Sequence, residues 1–442
     1  MATTATGQDS DIVAWPPRSR GWLLVALLAL ASVVSQFDRT VINLMVGPIK
    51  AEFGLNDTAF GALQSIAFGI FYVLACIPLG RLADNGNRKL LLAVCLTLWS
   101  VFAMASGLAR TYWTLFLTRI GVAVGEASLT PAGLSMLSDH FPPERLGRPV
   151  AGYLMSAPVG QGLAFIGGGS LLAALAGSDL ITTGWLAGFE PWQAAFLIVG
   201  APGLLLVPLF LLIPEPKRRG ARTEGLTAGE TARLIGAMWR ALVPMFIGFA
   251  MVLLFSYSVA IWTPALLERV HGWDSERIGW GFGLVLITFG MTGVLVGGWA
   301  NDWLAARGHR DAPLKVAAAG FAIGGSAGVA APLMPTAELT LAALAVALFF
   351  GQMPFPCAAT SLQLIVPNRA RAQISAVYVT FTTLVGLSVG PTVIGLMNDF
   401  VFGPEHIDKS MAVVIGCATP VMVAMMLLAM KPYRGFHQAM QG

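Results

Sequence analysis

Charge is scarce in this chain of 442 residues: Asp, Glu, Lys and Arg make up 11% of it, while 56% is hydrophobic. Soluble domains carry about 25% charged residues, and one of this composition would expose apolar patches far beyond what monomers carry. With a mean hydropathy of +0.73 the chain reads as an integral membrane protein. Its four cysteines (Cys76, Cys95, Cys357, Cys417) fall in apolar stretches at unrelated spacings, without a Cys-x-x-Cys. They read as small hydrophobes, not as a disulfide or metal framework. The five histidines (His140, His271, His309, His406, His437) sit at loops or segment ends without ligand-spaced companions, so no metal or cofactor is expected. No Gly-x-x-x-x-Gly-Lys loop occurs, which argues against ATP hydrolysis. A nucleophile–base cluster is also missing, which argues against a membrane enzyme. The polar residues 1–19 and the long apolar stretch from Gly21 do not form a signal peptide.

What is abundant is apolar sequence in lengths that cross a bilayer. A hydrocarbon core of about 30 Å needs about 20 helical residues. Twelve segments qualify: 22–46, 59–80, 89–109, 112–137, 148–173, 191–213, 241–267, 276–300, 315–334, 339–360, 372–397 and 410–430. The reading is an all-α membrane protein in two pseudo-symmetric six-helix bundles, 21–213 and 241–430. Residues 1–20 and 431–442 are expected as cytoplasmic tails. Between the bundles, 214–240 is expected as a linker with a short amphipathic helix on the membrane surface, opened by the capping-box pattern Thr227 to Glu230. The net charge of +4 does not imply a nucleic-acid partner, because the basic residues sit in short loops. Of 27 Lys and Arg, twenty fall on the side of the amino terminus and five on the other, leaving Arg39 and Arg119 inside segments. The positive-inside bias therefore predicts both termini in the cytoplasm.

The halves repeat. Gly80 to Asp84 follows the second segment, and Gly298 to Asp302, then Arg307, follows the eighth. Pro158, Gly160 and Gly162 in the fifth segment are echoed by Gly386, Gly390 and Pro391 in the eleventh. Such repeats mark secondary transporters, with the substrate site between the halves near the midplane. The pair Pro354 and Pro356 is expected to break the tenth helix beside the cavity.

Four charges stand where few are expected. Asp38-Arg39 interrupts the first segment, and Arg119 and Glu126 lie in the fourth. Each costs roughly 2.5–3.5 kcal/mol at the bilayer centre on the lenient insertion scale, so the four should face one another or a watered cavity. Seven residues separate Arg119 from Glu126, which puts them on one helix face about 10.5 Å apart, too far to pair directly. A plausible arrangement sets Asp38 against Arg119, with Glu126 near Arg39 or open to the cavity. A carboxylate whose cationic partner can leave becomes a proton carrier. The second half has no charge near its segment midpoints. It offers Ser256, Tyr257, Gln352, Tyr378 and Thr382; from the first half Gln64, Tyr72, Ser128, Tyr153 and Gln161 join the candidate lining. One charged wall facing one apolar wall suits an amphiphile.

The stretch Gly80, Leu82, Ala83, Asp84, Arg88 and Lys89 resembles the cytoplasmic loop signature of the major facilitator superfamily, with Asn85 and Asn87 as departures. Within it, Phe37-Asp38-Arg39, Thr118-Arg119 to Glu126-Ala127-Ser128, Phe141 to Arg145 and Asn398-Asp399 make the chain similar to the spinster-like lipid transporters. The resemblance implies a monomeric, proton-coupled carrier of lysophospholipid- or sphingolipid-like amphiphiles in a bacterial inner membrane, driven by a proton gradient without cofactor. It implies Asp38 and Glu126 as protonation sites, Arg39 and Arg119 as their switching partners or headgroup ligands, and Gly80, Asp84, Arg88 and Asp302 as a conformational latch. Organic anion:cation symporters carry a comparable Asp-Arg and Arg-to-Glu spacing, so small carboxylates stay open as substrates, as does multidrug efflux.

Overall fold

The protein is described from a computed structural model covering residues 15–216, 218, 227–367 and 369–441. Among the described residues twelve helices are long and apolar enough to cross a membrane. They are α1 (Arg18–Leu44), α2 (Asp57–Asn85), α3 (Arg88–Gly107), α4 (Tyr112–His140), α5 (Gly147–Leu175) and α6 (Pro191–Leu212) in the first half. The second half holds α7 (Gly229–His271), α8 (Ser275–Ala306), α9 (Ala312–Leu333), α10 (Ala337–Ile365), α11 (Gln373–Phe402) and α12 (Pro404–Met440). The described residues contain no strand.

Local sequence sets the ends. Asn56, Asn87, Thr111, Asp274 and Thr336 each accept a backbone N–H of the first turn they precede, meeting donors that lipid would leave bare. At the other end of α7, Gly272 takes φ +67°, a left-handed turn that glycine adopts without steric cost. Leu74, Ile77, Trp113, Leu117, Leu205 and Leu212 are exposed, the outward face expected of a chain whose solvent is hydrocarbon.

The halves meet mainly through α2 against α11 and α5 against α8. Glycine permits the approach of α5 to α8: a methyl on Gly279 would collide with the Phe165 carbonyl. The internal repeat extends to irregularities. A π-helical turn interrupts α2 at Ile66–Ile70 and α8 at Leu286–Gly290, matching places in the two halves. As the Pro354 and Pro356 pair predicts, α10 breaks at Met353 between Ala337–Gln352 and Pro354–Ile365.

One expectation is corrected. The capping box at Thr227 forms, with Glu230 accepting the Thr227 N–H at 2.7 Å, but the helix it starts does not lie apart on the surface. It continues into the seventh span as one helix, Ala228–His271. Residues 1–14 of the tail and 219–226 of the linker lie outside the described residues. The expected tail 431–442 is helical as well, since the last helix runs Ile407–Gln441. Tyr433 is fully buried there, and His437 Nδ1 lies 2.9 Å from the Arg310 carbonyl.

At the end of the molecule opposite the termini, charges tie the halves together. Asp57, fully buried at the start of α2, pairs with Lys50 of its own half and takes both guanidinium nitrogens of Arg269 on α7, at 2.7 and 2.8 Å. Asn398 donates to it at 2.9 Å. In return Asp399 of α11 accepts the backbone N–H groups of Asp57 and Thr58 at 3.0 and 2.7 Å, capping α2 from across the interface. At the terminus-bearing end Asp84 and Asp302 are exposed and Gly80 is half-buried. Arg88 is buried, bonded to Asp139 of the first half and to Glu215 of the linker. Removing one partner of a buried ion pair costs about 3–5 kcal/mol, enough to displace a conformational equilibrium. Asp57→Ala should therefore lengthen spin-label distances across the far end in most molecules. An unchanged distribution would mean that apolar packing alone keeps this end closed.

Candidate functional site: a one-sided charged cavity

The last turns of α1 carry Gln36, Arg39, Thr40 and Asn43 to the wall of a central cavity of about 510 Å³, a size that suits a small ligand or part of a larger one. From the first half the wall also takes Gln64, Phe68, Arg119, Leu154, Met155, Pro158 and Gln161. The second half contributes Leu253, Ser256, Tyr257, Ala260, Ile261, Leu286, Gly290, Val294, Leu348, Gln352, Phe355, Pro356 and Leu387. Both charges on the wall, Arg39 and Arg119, belong to the first half, and the opposite wall holds three polar side chains among apolar ones.

The charged group is built by α1, α2 and α4. Arg39 Nε donates to Glu126 Oε2, joining α1 to α4. The guanidinium also lies 4.6 Å from the ring centre of Phe68 and 4.9 Å from that of Tyr72. Those two rings stack on each other at 5.7 Å, and Phe68 stands in the π turn of α2. Aromatic faces stabilise a cation without neutralising it, so Arg39 keeps company if Glu126 lets go.

The expected pairing of Asp38 with Arg119 does not form. Asp38 and Arg39 are consecutive, about 100° apart around the helix, and the turn that gives Arg39 to Glu126 aims the Asp38 side chain elsewhere. Arg119 Nη1 instead donates to the Asp38 backbone carbonyl at 3.0 Å. Asp38 is fully buried and neither carboxylate oxygen has a hydrogen-bond partner among the described residues; Arg119 Nε and Glu126 Oε1 are also unpartnered.

Of the candidate lining residues, Gln64, Gln161, Ser256, Tyr257 and Gln352 reach the cavity. Tyr72 stands behind it against Arg39. Ser128 is buried with its hydroxyl on the Gly125 carbonyl at 3.3 Å, and Tyr153 is buried with its hydroxyl 3.4 Å from Thr130. Tyr378 packs edge-on against Phe246 and Phe249, and the Thr382 hydroxyl is spent on the Tyr378 carbonyl at 2.8 Å. Sequence reasoning missed Phe68 and the set Gln36, Thr40 and Asn43. The latter lie at helical spacing around Arg39, a periodicity that could have exposed them.

Residues 28–391 match the Major Facilitator Superfamily. The chain belongs to that superfamily. Among curated relatives, a Mycolicibacterium smegmatis MFS-type efflux pump is 30% identical, over 98% of each chain. The Escherichia coli probable L-galactonate transporter is 25% identical, over 89% of this chain and 85% of its own. Bovine protein spinster homolog 1 is 28% identical, over 85% of this chain and 73% of its own. Among solved structures, a bacterial homolog of the human lysosomal transporter spinster, in an inward-facing and occupied conformation, matches with a TM-score of 0.76 and 26% identity, over 96% of this chain and 98% of that one. This is a major facilitator transporter resembling the spinster family.

In this transporter the Arg39–Glu126 bond is the charge contact between α1 and α4. Glu126→Leu should lower stability by leaving Arg39 with only the rings of Phe68 and Tyr72, and adding Arg39→Met should recover much of that loss. Thermal unfolding of the single and double variants in detergent checks it; purely additive losses would mean the two groups are not coupled.

Proposed function

We propose that the protein is a proton-coupled secondary transporter of amphiphilic lipids, of lysophospholipid or sphingolipid type, working by alternating access. The observation that carries this is the division of the cavity: both wall cations on the first half, an apolar wall on the second. An anionic headgroup meets Arg39 and Arg119, while its chain lies along Leu253, Ile261, Leu348, Phe355 and Leu387. Each buried methylene contributes about 0.8 kcal/mol, so the apolar wall supplies affinity that a small carboxylate could not use. The spinster relatives add support. The galactonate and efflux relatives keep the two alternative substrate classes, small carboxylates and drugs, as outcomes of the test.

The basic-residue bias sets both termini in the cytoplasm, which makes the closed far end the outer face and this conformation inward-facing. In a bacterial cell the membrane is the inner one. Protons couple through Asp38 and Glu126. Protonating Glu126 removes the charge that holds Arg39 and frees it for the headgroup, with Phe68 and Tyr72 retaining the guanidinium. Asp38 has no donor to its carboxylate among the described residues, so a proton there removes a buried charge. Loss of the Glu126 proton re-forms its bond to Arg39 and with it the charge contact of α1 and α4. In the opposite state Gly80, Asp84, Arg88 and, by pseudo-symmetry, Asp302 serve as the latch that closes the cytoplasmic end.

Long-chain lysophospholipid or a phosphorylated sphingoid base should raise the melting temperature of the detergent-purified protein, and small carboxylates should not; the reverse result sinks the lipid assignment. Asp38→Asn or Glu126→Gln should abolish pH-dependent switching between the two states, read from spin-label distances at two pH values, while leaving the protein folded. Normal switching in both variants would remove both carboxylates from the coupling.

A further inference from the structure

A buried chain of amides lies on the cavity wall. Asn43 Nδ2 donates to the Ala260 carbonyl of α7 at 3.3 Å, across the interface between the halves. Gln64 Nε2 donates in turn to Asn43 Oδ1. The direction of this relay is dictated by chemistry. A backbone carbonyl only accepts, so Asn43 must turn its NH₂ to Ala260 and its oxygen to Gln64. Gln64 must then give its NH₂ to Asn43, which leaves its own oxygen over. Gln64 is 5% exposed, and its Oε1 has no partner among the described residues. A buried amide oxygen left unpaired is destabilising, because it gave up water and gained nothing in return. The same wall carries Arg119, whose Nε–H is likewise unpartnered. Two residues that each keep an unpartnered buried polar atom, an acceptor on Gln64 and a cationic donor on Arg119, therefore line one cavity.

We propose that Gln64 Oε1 reads a hydrogen-bond donor in the substrate headgroup while Arg119 holds its anionic oxygen, so that the site selects headgroups joining an anion to an N–H or O–H. The selection rests on the lipid reading above and narrows it. Phosphoethanolamine and phosphoglycerol headgroups satisfy both groups. Phosphocholine satisfies Arg119 only, because a quaternary ammonium has no proton to offer and strands the Gln64 oxygen. A site that is built to bond a donor rejects the analogue lacking it more sharply than an apolar pocket rejects a missing methyl.

The headgroup methylation series tests this with the full chain in detergent. Lysolipids of one acyl chain, below their micelle concentrations, are titrated by calorimetry with ethanolamine, monomethyl-, dimethyl- and trimethyl-ammonium headgroups. The first three each keep an N–H and should bind within about twofold of one another; the trimethyl compound should bind about tenfold more weakly. Gln64→Met, of similar length but with no acceptor, should flatten the series. A smooth decline with each methyl, or a flat series in the unsubstituted chain, overturns the proposal and leaves the lipid reading standing, even if Gln64→Met does not fold. If no lysolipid binds while a small carboxylate does, the lipid reading itself fails and the headgroup selection with it.

Discussion

Hydrocarbon offers no hydrogen bonds, and a charge placed in it must be answered by the protein itself. The bond between Arg39 and Glu126 is the answer from which the site follows. It draws α1 against α4 and turns Arg39 toward the stacked rings of Phe68 and Tyr72. The Asp38 carboxylate is left without a donor among the described residues. A buried ion pair is a weak stabiliser compared with apolar packing of the same volume. Its presence in a bundle otherwise built from Leu, Phe, Ala and Gly therefore adds little to stability, and it is the contact on which the proposed exchange of partners rests.

A second set of charges governs the relation between the halves. Asp57 and Asp399 reach across the far end in opposite senses, one gathering cations and the other capping a helix. Both are local contacts at one end of long helices, so they can open without disturbing the packing inside either bundle. The π turns in α2 and α8 and the break in α10 lie along the faces that line the cavity. Irregular helix is tolerated at membrane depth only where protein or cavity satisfies the freed backbone groups.

Much of the architecture was legible in the residues. The twelve apolar segments, the repeat of Gly80–Asp84 in Gly298–Asp302 and the interruption of α10 by Pro354 and Pro356 all have local causes. Boundaries were less legible. Nothing between Thr227 and Pro244 stops a helix once the capping box has started it, so the expected surface helix propagates into α7. The final helix continues past Pro432 because Tyr433 packs into the core and Arg434 and His437 find partners in the packed structure, Asp311 and the Arg310 carbonyl. Those contacts join residues more than a hundred positions apart, beyond the reach of any local pattern.

For the site, the division follows from helix geometry. The sequence by itself determined that the charges belong to the first half, on two helices, and that the second half would face them with apolar and neutral side chains, because composition and helical period act locally. It could not decide which charge meets which. Neighbouring residues on a helix differ by about 100° in direction, so a small rotation of α1 exchanges Asp38 for Arg39 as the partner of α4. That rotation is set by packing against α4, α5 and α6. Tertiary structure alone therefore decided that Arg39 takes Glu126, that Arg119 takes a backbone carbonyl, and that Asp38 and Gln64 keep unpaired oxygens.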